Sequence, residues 1–175
     1  MIDGAPERML GTRVKHLGET GFYWLIGIEC GKRGPRVRAY RDSRGIPTIG
    51  VGQTEIKRNG KWRRVEMTDS FSSVEEATAA FAHTVTLYEA AVDGATRDDI
   101  TQTTFDAMTS FCYNIGISGF KDSDAVRLLN QMMPVDEVAN AMLANWHRPP
   151  EVVERRHCEM DLLVRGIYRL QGQVL

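Results

Sequence analysis

Two carboxylates raise the question of chemistry. Glu29 follows the apolar run Phe22 to Ile28, and Asp42 lies in R-A-Y-R-D-S-R-G, with no acidic residue between them. If 22–28 is helical, Glu29 falls at the C-terminal end of that helix. The helix dipole there disfavours an anion, and Trp24, Leu25 and Ile28 shield the group from water. Both effects raise a carboxyl pKa toward what a general acid needs near neutral pH. Arg41 and Arg44, close to Asp42 in the chain, favour its ionised form. Two carboxyls pushed apart in this way make an acid and its partner base. The same spacing also fits two surface residues that balance nearby cations, and the pair alone does not choose.

The elements that must position this pair are legible in outline. Leu10, Val14 and Leu17 predict a weak amphipathic helix over 7–18, ended near Gly18. Phe22 to Ile28 predicts a second short helix, with Thr20 as its cap. RVRAYR then alternates, D-S-R-G reads as a turn and IPTIGVG as a return strand. Pro47 belongs at an edge or a bulge, because it cannot donate to a ladder. Asn59-Gly60 between two strand-like runs predicts a two-residue hairpin turn. Residues 36–66 are therefore expected as one small, basic, antiparallel sheet. From Ser72 on the chain is helical. A first helix is capped by Ser72 or Ser73, with Phe81, Val85 and Tyr88 on one face. A second spans 101–115 through Phe105, Met108, Cys112 and Ile115. Shorter helices are expected over 122–131 and 135–146, and a longer one over 150–165 opened by Pro149-Pro150. The fold class is α+β: a small sheet lobe and a larger helical lobe with a cleft between them.

Composition bounds the function classes. The chain has 175 residues, 42% apolar and 26% charged, ordinary for a globular protein able to bury a core. No stretch reaches the roughly 18 apolar residues of a membrane span. The N-terminus lacks an uninterrupted apolar segment of the secretory kind, so a cytoplasmic protein is expected. Cys30, Cys112 and Cys158 are an odd number without C-x-x-C spacing, which argues against a disulfide framework or structural zinc. Neither metal nor cofactor is expected. The net charge of −1 hides an asymmetry: eleven of the 22 Lys and Arg residues fall between Lys32 and Arg64, against only Asp42 and Glu55. Such a stretch is a solvated polar face or a patch drawn to a polyanion.

The motif around the carboxylates resembles the phage-type lysozymes, the endolysin muramidases of glycoside hydrolase family 24. A helix ends in Glu29, and Tyr40-Arg41-Asp42-Ser43-Arg44-Gly45-Ile46-Pro47-Thr48-Ile49-Gly50-Val51-Gly52 then follows the pattern Y-x-D-x-x-G-x-x-T-I-G-x-G. Residues 103–130 are similar to the family's central helix and the turn after it. Residues 145–163, which open N-W-H-R-P-P-E-V-V-E-R-R, are similar to its closing segment, and the three blocks occur in family order. The resemblance implies a single lysozyme-like domain over 1–175, with the β lobe at about 30–70 and the helical lobe formed by 1–29 and 73–175. It implies cleavage of the β-1,4 bond between N-acetylmuramic acid and N-acetylglucosamine in peptidoglycan. Carried over by position, Glu29 is the general acid, Asp42 the carboxylate that positions or activates water, and Thr48 the hydroxyl that assists it. Tyr113, Asn114, Ser123, Asn140 and Thr54 match substrate-contact positions.

The implied partners are peptidoglycan strands and anionic cell-envelope polymers, with no nucleic acid, no membrane span and a monomeric state. The implied location is the host cytoplasm until release to the periplasm or wall, through a separate membrane-permeabilising protein. The sequence departs from the family in two places. Glu29-Cys30-Gly31 replaces Glu-Gly, and the stretch to Asp42 is longer by about one helical turn. Gln53 stands where many members have His. Two rival readings stay open. Cys30 as nucleophile, with His83, His147 or His157 as base, would make a cell-wall amidase or peptidase. The basic sheet with Tyr40 and Trp62 would make a non-catalytic module for wall polymer or nucleic acid. Arg155 and Arg156 are expected to be structural, and Trp146 to be core rather than a carbohydrate platform.

Overall fold

The computed structural model describes residues 15–146, 152–170 and 172–175. The first predicted helix falls largely on 1–14, outside the described residues, and 15–18 are not helical. The first helix described, α1 (Glu19–Cys30), is longer than the apolar run, and Gly18 rather than Thr20 stands at its N-cap. Trp24 and Leu25 are fully buried beneath it, so packing rather than capping sets its extent. A 3₁₀ turn (Gly31–Arg33) with Gly34 after it carries the lengthened segment outward. The chain then enters β1 (Arg36–Arg41).

β1 pairs antiparallel with β2 (Pro47–Gly50), Tyr40 opposite Thr48 and Arg41 opposite Pro47, with an irregularity between Arg36 and Tyr40. Pro47 is the first residue of its strand, where its missing N–H costs little. The second hairpin, β3 (Glu55–Arg58) and β4 (Lys61–Arg64), turns at Asn59-Gly60 with φ 51° and 76°, as that dipeptide predicts. The single sheet expected over 36–66 is instead two separate two-stranded ladders. Gly50 and Gly52 take positive φ, and the tight Ile49–Gln53 bridge there turns the chain before β3 can join β2. Ile49, Ile56, Val65, Phe71 and Ala77 form a small core beneath both hairpins.

Helix α2 (Val74–Ala95) leaves the β lobe, capped by Ser73, whose hydroxyl accepts from the Glu76 N–H. It packs on α3 (Gln102–Ile115), whose residues 104–112 are buried on every side. Around α3 lie α4 (Ile117–Lys121), α5 (Asp124–Asn130), α6 (Val135–Asn145) and α7 (Val152–Arg165). The separate α4 has no counterpart among the predicted helices, and the Pro149-Pro150 helix start lies outside the described residues. A short terminal hairpin, β5 (Arg169–Leu170) and β6 (Gln173–Val174), is likewise absent from the sequence expectations. It closes on α1, where Trp24 Nε1 donates to the Arg169 carbonyl at 2.8 Å. No helix of the described residues is long and apolar enough to cross a membrane.

Candidate active site

Between the lobes lies a cavity of about 650 Å³ whose walls include Glu29, Asp42, Thr48, Thr54, Tyr113 and Asn114. Six of the eight predicted site residues thus meet in one place, supplied by α1, the β1–β2 turn, β2, the link to β3, and α3. Thr48 Oγ1 donates to the Ile46 carbonyl at 2.9 Å from the floor strand. Asp42 is held by the turn that D-S-R-G predicts. Its Oδ1 accepts from the N–H groups of Ile46 at 2.8 Å and Arg44 at 2.9 Å, and Oδ2 from the Arg44 guanidinium at 3.3 Å. The Ile46 N–H first, then the Arg44 backbone and guanidinium, hold its carboxyl below the usual aspartate range against the opposing effect of partial burial.

Glu29 has a partner to which the sequence assigns a structural role. Arg155, on α7, places Nη1 on Glu29 Oε1 while its Nε reaches Glu159 Oε1 at 2.9 Å and its Nη2 the Ser110 carbonyl at 2.7 Å. Burial works against the Arg155 charge, but the Glu29 and Glu159 carboxylates outweigh it and push its pKa up. Arg155 thus bonds acidic partners in the helical lobe, as expected of a structural arginine, and one of those partners is Glu29 on the cavity wall. Arg156 behaves as expected, its guanidinium shared between Glu159, Asn114 Oδ1 and the Trp146 carbonyl, over the Phe111 ring. Gly52 (φ +79°) makes room on the other side. A Cβ there would stand 3.3 Å from Glu29 Oε2 and 3.9 Å from the Tyr113 hydroxyl.

Tyr113 donates to the Val51 carbonyl at 2.8 Å, which fixes its ring between Phe81 and Tyr88. Burial and the nearby Glu29 carboxylate push its phenol well up, so it acts as a neutral donor. Two predicted contacts are not on the cavity wall. Ser123 is buried as the cap of α5, accepting from the Val126 N–H and donating to the Phe120 carbonyl at 2.7 Å. Asn140 is exposed on α6. Tyr40, which opens the Y-x-D motif, also lines the cavity, as do Tyr88 and Trp146, which nothing in the sequence marks for the cleft. Trp146 also packs edge-on against Phe111 at 6.3 Å, so it is part core and part wall.

The cysteine alternative loses its chemical basis here. Burial first, and then the Glu29 carboxylate, push the Cys30 thiol up to about 11, and its sulfur lies against the Gly50 carbonyl. A thiol so raised is a poor nucleophile near neutral pH.

The chain matches the phage lysozyme family over residues 31–159, a stretch that begins just after Glu29. It is 37% identical over 137 residues to the endolysin of Salmonella phage P22, covering 76% of this chain and 90% of that one. Among solved structures it is similar to the endolysin of Escherichia coli O157:H7 phage FAHEc1, with TM-score 0.76 and 30% identity, over 89% of this chain and 97% of that one. A point mutant of P22 lysozyme superposes with TM-score 0.69 and 31% identity, over 86% of this chain and 99% of that chain. The muramidase domain of SpmX from Asticaccaulis excentricus gives 0.69 and 28%, over 85% and 97%. On the family match over residues 31–159 and the 37% identity to a phage endolysin, this chain belongs to the phage lysozyme family.

Proposed function

We propose that the chain is an endolysin that hydrolyses the β-1,4 bond between N-acetylmuramic acid and N-acetylglucosamine in peptidoglycan. Glu29 is the general acid in this reading. Arg155 holds its Oε1, which leaves Oε2, beside Gly52, as the oxygen that delivers the proton. That proton passes to the glycosidic oxygen as the bond to the muramic anomeric carbon breaks, and the N-acetylglucosamine hydroxyl leaves. Asp42, ionised, positions or activates the water that adds to the anomeric carbon, and Thr48 on the adjacent floor strand assists. Tyr113, Asn114 and Thr54 line the path of the glycan. The single observation that carries the reading is one cavity bounded by Glu29, Asp42 and Thr48.

Ser123 and Asn140, which lie off the cavity wall, are carried as substrate contacts by the resemblance alone. Anionic envelope polymers are a second partner, met by the basic β lobe, and salt should weaken lysis if they matter. The chain is monomeric in this reading and is held in the host cytoplasm until released. Digestion of purified peptidoglycan, with mass analysis of the products, tests the assignment. Wild type should yield new reducing-end muramic acid and Glu29→Gln should not. Anhydro-muramic ends would mark a lytic transglycosylase, and free stem peptides an amidase. Unimpaired cleavage by Glu29→Gln would remove Glu29 from the acid role.

A further inference from the structure

The second hairpin treats the charges of its two faces differently. On one face Ile56 is buried in the small core, Arg58 bonds Glu76 at 3.2 Å and lies over the Phe71 ring, and Arg63 bonds Asp69 at 2.8 Å. Strand alternation places Glu55, Lys57, Trp62 and Arg64 on the other face, with Lys57 directly opposite Trp62 and Glu55 opposite Arg64. All four are exposed, and so is Lys61 beside the turn. Lys57, Lys61 and Arg64 form no ion pair among the described residues, Arg64 despite the Glu55 that faces it. The Trp62 indole is 38% exposed and stacks on no ring or cation among them. None of these residues lines the cleft.

This face stands at a cationic pole. Residues 30–70 carry eleven Lys and Arg against four carboxylates, whereas the rest of the chain carries eleven against nineteen. A molecule so divided turns its β lobe toward a negatively charged plane and its helical lobe away from it. A polyanion thread would ask only for the cations. A lipid leaflet asks also for an amphipathic ring at the level of the headgroups, the position that Trp favours at membrane interfaces. A cavity of about 570 Å³ at the hairpin tip, walled by Arg58, Asn59, Lys61, Trp62 and Arg63, sets that ring beside cations with room for a phosphate headgroup.

We propose that the β3–β4 hairpin docks on a leaflet of anionic phospholipid, with Lys57, Lys61 and Arg64 at the phosphates and Trp62 among the headgroups. This contact goes beyond the peptidoglycan reading. It is a second binding surface, remote from the cleft, and it holds whether or not the cleft cuts glycan.

Cosedimentation with vesicles of phosphatidylcholine, alone or mixed with phosphatidylglycerol, tests it. Wild type should bind the mixed vesicles and not the neutral ones. Lys57→Gln/Arg64→Gln should bind them about twentyfold more weakly, roughly fivefold for each cation removed. Lys121→Gln/Arg127→Gln changes the net charge equally but on exposed residues of the helical lobe, and its binding should stay within about twofold of wild type. Brominated lipid in the mixed vesicles should quench the tryptophan fluorescence of wild type, and Trp62→Phe should still bind yet lose most of that quenching. Failure of wild type to bind the mixed vesicles, or equal weakening by the two double variants, overturns the proposal. So does binding without quenching, which would leave this face to a soluble polyanion.

Discussion

At the scale of single residues, the two carboxylates are held by different means. Asp42 is gripped by its own turn. Because the Ile46 and Arg44 donors lower its pKa in the folded state, the stability it contributes is present above its unfolded pKa and is lost only as pH falls through the lower folded value. Its ionised form therefore persists into acid, and its titration midpoint should lie below the ordinary 3.8. Arg44→Gln should move that midpoint upward. Carboxyl-carbon NMR on both proteins checks this, and a wild-type midpoint at or above the ordinary value contradicts it. Glu29 depends instead on a residue 126 positions away in the chain. Arg155→Lys keeps the charge but cannot span Glu29, Glu159 and Ser110 with one ammonium group. Its kcat should drop by about tenfold with KM nearly unchanged, as expected when a reacting group is misplaced while substrate binding is kept. A parallel rise in KM would make Arg155 a binding residue rather than a positioning one.

At the scale of elements, Gln53 joins the β lobe to the helical lobe. Its Oε1 accepts from the Val51 N–H at 3.1 Å, and its Nε2 donates to Thr84 Oγ1 on α2 at 2.9 Å, both buried. Gln53→Ala leaves the Val51 donor without its partner, and the cost should be about 1–3 kcal/mol. Urea unfolding followed by tryptophan fluorescence would show it, and a variant as stable as wild type would mean that the two lobes need no such tie. The elements also show where sequence is informative. The Asn59-Gly60 turn, the Ser73 cap and the helices over 102–115 and 135–145 follow from local chemistry. The split of the β lobe into two ladders does not, because it depends on backbone turning at Gly50 and Gly52 rather than on side-chain alternation. Ser123 shows the same limit. A serine before Asp124 is locally a helix cap that also bonds the Phe120 carbonyl three residues back, and only the tertiary arrangement decides that this cap lies off the cleft wall. Arg155 is hidden for the opposite reason. Nothing near it in sequence distinguishes a helix-surface arginine from one that reaches across to Glu29.

At the scale of the whole molecule, two apolar cores of unequal size are bridged by α2, and the larger one encloses a knot of charge. Glu159 is fully buried on α7, between Arg155 and Arg156, and it also accepts from Ser110 Oγ at 2.6 Å on α3. This carboxylate offsets the two guanidinium groups on which the wall of the cleft depends. One of them holds Glu29 and the other holds Asn114. Removing its charge leaves two buried cations facing only Glu29, so fold and site should fail together. Glu159→Gln, which keeps the shape and one acceptor, is expected to cost about 3–5 kcal/mol and most of the activity. Glu154→Gln on the exposed side of the same helix should stay within about 0.5 kcal/mol. Thermal unfolding of the two variants beside wild type, with activity measured well below the lower midpoint, separates the effects. If Glu159→Gln melts early yet cleaves normally while folded, the charge knot serves stability alone, and Arg155 must hold Glu29 without it.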